Sequence, residues 1–451
     1  MYDITIVNSG LLMKGISVPI GPLIIASVLR NNGFNVEFRD YQGKKLSRRF
    51  DVETFKKFCD NSADILAISA TCNSMPIVLG AVELIKKENP DKIIILGGAG
   101  PSDLSSELLK YFPVDYVVIG EGEITTLELM KAIKDSKEVS NINGIAYVEN
   151  GEILVTPQRK RIDNISEIPH PAYDLLNLDD YDRIQTIITA RGCPFDCQFC
   201  SAHSIWQRKL THRSVEDIVA EIKSLIDYTN VIAFADDTFV LDRNRVKNII
   251  SAVRAEGIDL PWTCNGKITL MDKEWFEFME KTNCIQVFYG VEAGSDKILK
   301  KIHKGHTVEQ ARNVIKETTN YVRNVRASYI WGYPFETIED FYDLIETLYE
   351  DMNIPGVLSQ MSLLSPLPSS PLYKEYGDSL EFSIEAQSRA GGLPVNENIE
   401  DYPNTIELIL KYPKLFSSFY YYKQDNFDLK LKAIKKVDWI YDAEKVKANG
   451  Y

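Results

Sequence analysis

Three cysteines fall inside eight residues, at Cys193, Cys197 and Cys200, in the segment ITARGCPFDCQFC. The spacing is C-x3-C-x2-C. A tight loop of that kind gathers three thiolates, enough to ligate three irons of a 4Fe–4S cluster and leave the fourth without a protein ligand. An open metal position is what catalysis at a metal requires. The competing reading is structural zinc, with His203 completing a Cys3His set. Zinc ligands usually come as two separated pairs, whereas these crowd into one loop. Cys59, Cys72, Cys264 and Cys284 are scattered, and the odd total of seven does not resemble a secreted disulfide framework.

The elements that must position this loop alternate along the chain. From Ile184 onward, strands are predicted at Gln185–Thr189, Val231–Ala235, Trp262–Asn265, Ile285–Gly290, Arg326–Trp331 and Gly356–Leu364, with helices such as Lys273–Lys281 between them. Six strand–helix units predict a partial (β/α)6 barrel over residues 184–365, and such barrels carry chemistry at the carboxyl ends of their strands. Residues 1–140 alternate too. Near-continuous apolar strands such as IIIL (93–96) imply burial on both faces, hence a Rossmann-like (flavodoxin-like) parallel sheet with helices on each side. Its strand ends read SATCNS (69–74), GGAGPS (97–102) and GEGE (120–123), small residues where sheets of this class bind ligands. Residues 141–183 contain a hairpin with an Asn150-Gly151 turn and then a Pro169/Pro171 stretch, and are assigned as a linker. Residues 366–451 are expected to form a mainly helical C-terminal region covering the barrel. The fold class is α/β.

RGCPFDCQFC resembles the signature of the radical S-adenosylmethionine (SAM) superfamily, CxxxCxΦC, with Phe199 at the aromatic position. The resemblance implies that Cys193, Cys197 and Cys200 hold a 4Fe–4S cluster and that SAM binds the open iron through its methionyl amino and carboxylate groups. Electron transfer would then yield a 5′-deoxyadenosyl radical, with Phe199 packed near the adenine. Later strand ends extend the likeness. FADDTFVLDRNRV (233–245) resembles the segment where Asp236 or Asp237 would meet the methionyl ammonium. YGVEAGS (289–295) resembles the segment where Glu292 would bind ribose hydroxyls or a methionine polar group, and YIWGYPFET (329–337) the turn, shaped by Gly332 and Pro334, that lines the adenine. Carboxylates suit a cationic amino group and vicinal hydroxyls. Taken singly, each segment has a plainer reading: paired aspartates cap helices, Glu292 serves as a buried structural partner, and a G-x-P turn is only a turn.

PIGPLIIASVLRNNGFNVEFRDY, ILGGAGPSD and VDYVVIGEGE resemble the cobalamin-binding domain often fused ahead of such barrels. Ser69, Thr71, Gly97 and Gly98 match the positions for the cofactor's nucleotide tail. One departure stands out: many such domains ligate cobalt through a D-x-H-x-x-G histidine, yet the first histidine of this chain is His170. The matching loop reads GLLMKGISVPIG (10–21), so no imidazole of this domain would coordinate the metal. The alternative is a flavodoxin-like scaffold that binds substrate or nothing. Cys72 would either touch the corrin or be a buried free cysteine.

A formal charge of −13 gives little general attraction for phosphate backbones, so nucleic acid is not an expected partner. No stretch reaches the ~18 apolar residues of a membrane helix. The start, MYDITIVNSG, lacks the features of an export signal, and a cytoplasmic location is expected. The leading functional expectation is a cobalamin-dependent radical SAM methyltransferase acting on an unactivated carbon of a small-molecule or peptide substrate, fed by an electron donor such as flavodoxin or ferredoxin. Alternatives are a non-methylating radical enzyme (cyclisation, rearrangement or oxidation) and a non-catalytic iron–sulfur or zinc binding module. The strand-end faces of both domains are expected to converge on one pocket. His303 and His306 are expected to be exposed, and Tyr420, Tyr421 and Tyr422 to serve packing.

Overall fold

The computed structural model describes residues 1–11, 17–42, 48–386 and 401–436. Seven strands, β1 (Ile4–Asn8), β2 (Val36–Asp40), β3 (Ile65–Ser69), β4 (Ile93–Gly97), β5 (Tyr116–Val118), β6 (Ile145–Glu149) and β7 (Glu152–Val155), form the first sheet in the order β2-β1-β3-β4-β5-β6-β7. The first five are parallel. β1 is buried at all five positions, which demands cover on both faces. Helices α1 (Ile20–Asn31), α2 (Val52–Cys59), α3 (Met75–Glu88), α4 (Ala99–Ser102), α5 (Ser105–Tyr111) and α6 (Gly122–Lys134) supply it. α1 and α6 pack on one face, and α2, α3 and α5 on the other.

The β6–β7 hairpin pairs antiparallel with β5 and so belongs to this sheet, not to a linker beginning at 141. Its turn is made by Asn150 and Gly151, at φ 52° and 83°, as a two-residue hairpin loop requires. The open edge of β5 and the apolar residues Ile145, Ala146 and Tyr147, all buried, draw the hairpin in. The linker proper follows Val155 and is stitched to both sides. Ser27 donates to the His170 carbonyl (2.6 Å), Tyr173 to Glu221 (2.6 Å) and Tyr181 to Asp40 (2.7 Å).

The second sheet has six parallel strands: β8 (Ile184–Ile187), β11 (Val231–Phe234), β12 (Trp262–Gly266), β13 (Cys284–Glu292), β14 (Asn324–Trp331) and β15 (Val357–Leu363), ordered β15-β14-β13-β12-β11-β8. Its edge strands β8 and β15 are not paired with each other, so the sheet stays open. A two-stranded ladder, β9 (Ala190–Arg191) with β10 (Thr211–His212), rises from its first strand end. Helices α7 (Ala202–Trp206), α8 (Val215–Ser224), α9 (Arg243–Ala255), α10 (Lys273–Lys281), α11 (Asp296–Lys301), α12 (Val308–Thr318) and α13 (Ile338–Met352) run between strands. Trp262, Trp275, Trp331 and Phe341 are fully buried in the shared core, each stabilising by roughly 1.5–3 kcal/mol on apolar burial.

The C-terminal segment departs from expectation by covering both domains. Helix Pro403–Lys411 lies on α3, and Ile409, Phe416, Phe419 and Tyr420 join the N-terminal core. Thr405 donates to the Phe50 carbonyl (2.8 Å). The α3 face carries Gly80, whose missing Cβ would meet Leu408 at 2.9 Å, and that close approach seats the helix there. Helix Phe427–Lys436 covers the barrel instead, with Phe427 stacked on Trp331 and on Tyr421. Tyr420, Tyr421 and Tyr422 are buried packing residues, as expected. Among the described residues no helix is long and apolar enough to cross a membrane.

Candidate functional site

The cysteine loop springs from the end of β8 and is closed at its neck by the β9–β10 ladder, where Arg191 faces Thr211. Gly192 sits at φ 107°, and a Cβ there would strike the Lys209 carbonyl, so the sharp exit into Cys193 requires glycine. Within the loop the Cys200 amide donates to the Cys197 carbonyl (3.2 Å). The barrel and the C-terminal segment hold its far side: the Gln198 amide donates to Ile302 (3.1 Å), and the Leu372 amide to Gln198 (3.0 Å). All three thiols are free and partly exposed. Burial raises the Cys197 and Cys200 thiols, while Lys304 and Lys267 pull Cys197 back down.

Among the described residues no three His, Cys, Asp or Glu side chains converge on one ion position, so the zinc set with His203 is not assembled. Three separate soft donors beside two lysines suit an iron–sulfur cluster, in which each sulfur takes its own iron and the cations offset thiolate charge. Cys59, Cys264 and Cys284 are buried away from the loop. Burial pushes the Cys72 thiol up to about 11.

The two aspartates of FADD diverge. Asp236 is buried and accepts from the Thr189 amide (2.6 Å), the Thr189 hydroxyl (2.5 Å) and the Ala190 amide (3.1 Å). Its carboxylate is thus consumed in holding the stem of the cysteine loop. Asp237 is open at the mouth, facing the Gly192 amide and close enough to Cys200 to raise its thiol. Thr238 lies 3.6 Å from the Cys193 sulfur.

Glu292 lies at a register shift of β13 against β14, at φ 76°, a conformation costly for a side chain of this size. It is buried and paired with Lys304 at 2.8 Å. Gly332, at φ 91°, donates its amide to Glu336 (2.9 Å), and Pro334 sits in the turn closed by the Glu336 amide on the Tyr333 carbonyl (3.0 Å). Phe199 meets the Tyr333 ring edge-on at 6.4 Å. The structure therefore brings the cysteine loop, Asp237, Glu292 and the 332–334 turn to one rim, with Phe199 and Tyr333 between them.

Four more residues belong to this rim, and of these the sequence singled out only His306, as an exposed residue. Lys267, at the end of β12, donates to the Lys304 carbonyl (3.1 Å) and stands 4.0 Å from the Phe195 ring centroid. It makes no salt bridge with a carboxylate among the described residues. The Tyr333 hydroxyl is buried without a hydrogen-bond partner among the described residues, in the field of Glu292, Glu336 and Cys197. His306, expected to be exposed, is only 6% exposed and faces the Val291 backbone, with Lys304 and Lys267 nearby. Lys430 is fully buried and donates to the Glu336 carbonyl and carboxylate, each at 2.9 Å. Only a strand-end position marks Lys267 in the sequence. Nothing local marks Tyr333 or Lys430.

A second feature faces this rim from the N-terminal sheet. A cavity of about 340 Å³ opens on the carboxyl ends of its parallel strands, between α1 and α6. Ser69, Gly97 and Gly98 line it, whereas Thr71 lies outside the lining, exposed in the turn before α3. Gly98, at φ 102°, passes so close to Ala70 that a Cβ would meet its carbonyl at 2.5 Å. Bare backbone at these glycines and walls of isoleucine make a slot suited to a flat, largely apolar group. The barrel domain closes the slot with Ile188, Arg191 and Trp206, which flank the cysteine loop. Part of the loop 10–21, where an axial histidine would be sought, lies outside the described residues.

Comparison with known proteins agrees with this arrangement. The Radical SAM superfamily model matches residues 187–348, and the B12 binding domain model matches residues 11–130. An uncharacterized methyltransferase of Pyrococcus horikoshii is 30% identical over 364 residues, covering 79% of this chain and 78% of that protein. The anaerobic magnesium-protoporphyrin IX monomethyl ester cyclase of Rubrivivax gelatinosus is 27% identical over 376 residues, covering 79% and 66%. Among solved structures, the radical SAM methyltransferase TsrM of Kitasatospora setae, with cobalamin and a 4Fe–4S cluster bound, matches in fold at TM-score 0.67 and 19% identity, covering 86% of this chain and 76% of that one. The cobalamin-dependent SAM radical enzyme OxsB, with aqua-cobalamin and SAM bound, matches at TM-score 0.67 and 20% identity, covering 97% and 66%. With a three-cysteine loop at the first strand end of an open six-stranded parallel sheet, and a relative this similar over most of both chains, this protein belongs to the radical SAM superfamily and carries a B12-binding domain ahead of its radical SAM region.

Proposed function

We propose that the protein is a cobalamin-dependent radical SAM methyltransferase that acts on an unactivated carbon of a small-molecule or peptide substrate. The observation that carries this reading is convergence: residues flanking the cysteine loop close the cavity on the strand ends of the B12-binding domain. The methyltransferase named among its relatives and the cobalamin-bound fold of TsrM support it. Bound together, a reduced cluster would supply the electron that cleaves SAM to a 5′-deoxyadenosyl radical, and cobalamin would supply a transferable methyl group.

The chain's own residues would then bind and orient. Cys193, Cys197 and Cys200 would hold the cluster. Asp237, not the saturated Asp236, would receive the methionyl ammonium, and Lys267, a cation without a carboxylate partner among the described residues, the methionyl carboxylate. Glu292 would accept from ribose hydroxyls, while Phe199, Tyr333, Gly332 and Pro334 would enclose the adenine. Ser69, Gly97 and Gly98 would line the path of the cobalamin tail. An external one-electron donor such as flavodoxin or ferredoxin and a reducing, cytoplasmic setting complete the proposal. A non-methylating reaction is the second reading, favoured by the relative named as a cyclase.

The test is anaerobic purification, cluster reconstitution and incubation with dithionite, SAM and added cobalamin. The expected result is about four irons per chain, with 5′-deoxyadenosine and S-adenosylhomocysteine both formed and both lost in Cys197→Ala. Deoxyadenosine without S-adenosylhomocysteine would favour the non-methylating reading. A colourless protein holding one zinc would overturn both.

A further inference from the structure

We infer that Arg191 is a positioning residue that couples the N-terminal cavity to the cysteine loop, so that cobalamin in the cavity and a cluster on the loop strengthen each other's retention. The inference rests on the cobalamin reading above. The outgoing stem of the loop is gripped by residues that also line the cavity, and the returning stem by an arginine paired with one of them. On the outgoing stem, the Arg191 guanidinium spans two carboxylates of the B12-binding domain, Glu121 at 2.9 Å and Glu123 at 2.6 Å. The second oxygen of Glu121 accepts from the Ile162 amide (2.9 Å) and faces Arg161 at 3.4 Å. Arg161 in turn holds the returning stem. It donates to the Trp206 carbonyl (2.9 Å), the Lys209 carbonyl and the Thr211 hydroxyl (3.0 Å), with its guanidinium 5.0 Å from the Trp206 ring centroid.

Two arginines and two glutamates thus close the neck of the loop in one network, all with side chains at most 11% exposed. Glu121, Glu123, Arg191 and Trp206 are at the same time walls of the cavity. An occupant would displace water from beside the ion pairs, and lower local polarity strengthens a pair already formed and hydrogen-bonded. It would also restrain Trp206, which begins the returning stem. Release of a cluster from three ligands on one loop requires that loop to open, and opening has to break this neck. Stabilising the neck from the cavity side therefore stabilises the cluster-bound loop. Thermodynamic linkage makes the effect mutual: a bound cluster must raise cobalamin affinity by the same factor. Arginine is required because one guanidinium bridges two separate carboxylates, a span the single ammonium of lysine does not reproduce.

The experiment measures hydroxocobalamin affinity by equilibrium dialysis on cluster-loaded and iron-free full-length protein. Iron release to a ferrous chelator, with and without hydroxocobalamin, is followed in parallel. The expected result for wild type is at least about five-fold tighter cobalamin binding with the cluster present, together with slower iron release when cobalamin is bound. Arg191→Met should load iron and bind cobalamin yet reduce the coupling below about two-fold, with Arg191→Lys intermediate. Glu123→Gln, an isosteric change in the other domain, should also weaken the coupling and serves if Arg191→Met folds poorly. Because the coupling is a ratio within each variant, a general loss of stability does not mimic it. Unchanged affinity in cobalamin-binding wild type, or full coupling in both Arg191→Met and Glu123→Gln, would overturn the inference. Failure of wild type to bind hydroxocobalamin in either form would overturn the cobalamin reading and this inference with it.

Discussion

At the scale of single residues, Asp236 and Asp237 separate structure from binding. Replacing Asp236 with Asn exchanges an acceptor of three hydrogen bonds for a group that must turn its amide away from the Thr189 and Ala190 amides. A loss of about 1–3 kcal/mol is expected from the urea midpoint, with poorer iron loading. Asp237→Asn, at the open mouth, should leave stability within about 0.5 kcal/mol. It should instead weaken SAM binding about ten-fold, read by dialysis. His306 gives a pH signature. Burial, and then the charges of Lys304 and Lys267, push its imidazole down to about 4. Its contribution is fully present above the unfolded value near 6.5 and is lost as pH falls toward the folded value, because the unfolded chain takes up the proton first. Between pH 7.5 and 5.5 the wild type should lose about 1 kcal/mol more than His306→Leu in urea titrations of iron-free protein. The carboxylate pair and Glu292 were legible in the sequence as strand-end acids. Which aspartate faces inward was not, because side-chain direction depends on the backbone groups the fold brings near.

At the scale of elements, the helix Phe427–Lys436 reaches the 332–334 turn through one buried ion pair. Lys430→Met would strand Glu336, 6% exposed and already raised by burial, without its cation. A cost of about 3–5 kcal/mol is expected, with weaker SAM binding as the Gly332 turn loosens. The double variant Lys430→Met/Glu336→Gln should recover part of that loss in urea titrations, since no buried charge is left unpaired. The barrel elements themselves were visible in the sequence: the helix Lys273–Lys281 coincides with its predicted bounds, and the six strands shift by a few residues. Apolar periodicity is a local property, so it survives without knowledge of neighbours. The β6–β7 hairpin was equally visible as a hairpin, but its membership of the first sheet depended on the free edge of β5.

At the scale of the whole molecule, the C-terminal segment and the arginine–glutamate neck make the two domains interdependent. Ile409→Ala should cost about 2–5 kcal/mol although Ile409 lies far along the chain from the N-terminal core it completes. Thermal unfolding of the iron-free protein would show it. Cys197→Ala should lose iron yet keep measurable cobalamin binding, since the cavity walls include none of the three cysteines. Iron analysis and dialysis on one preparation check both.

The sequence by itself determined the cysteine loop, the order of strands and helices, the two-domain division and the family. These rest on spacing within a few residues and on local periodicity, which need no folded context. Only the tertiary structure decided that Arg191, Glu121, Glu123 and Arg161 form one network, that Lys430 clamps Glu336, and that residues 403–436 cover both domains. Each of these joins residues tens to hundreds of positions apart. Such pairings are fixed by which buried charges must find partners and which apolar faces must be covered once the sheets have formed.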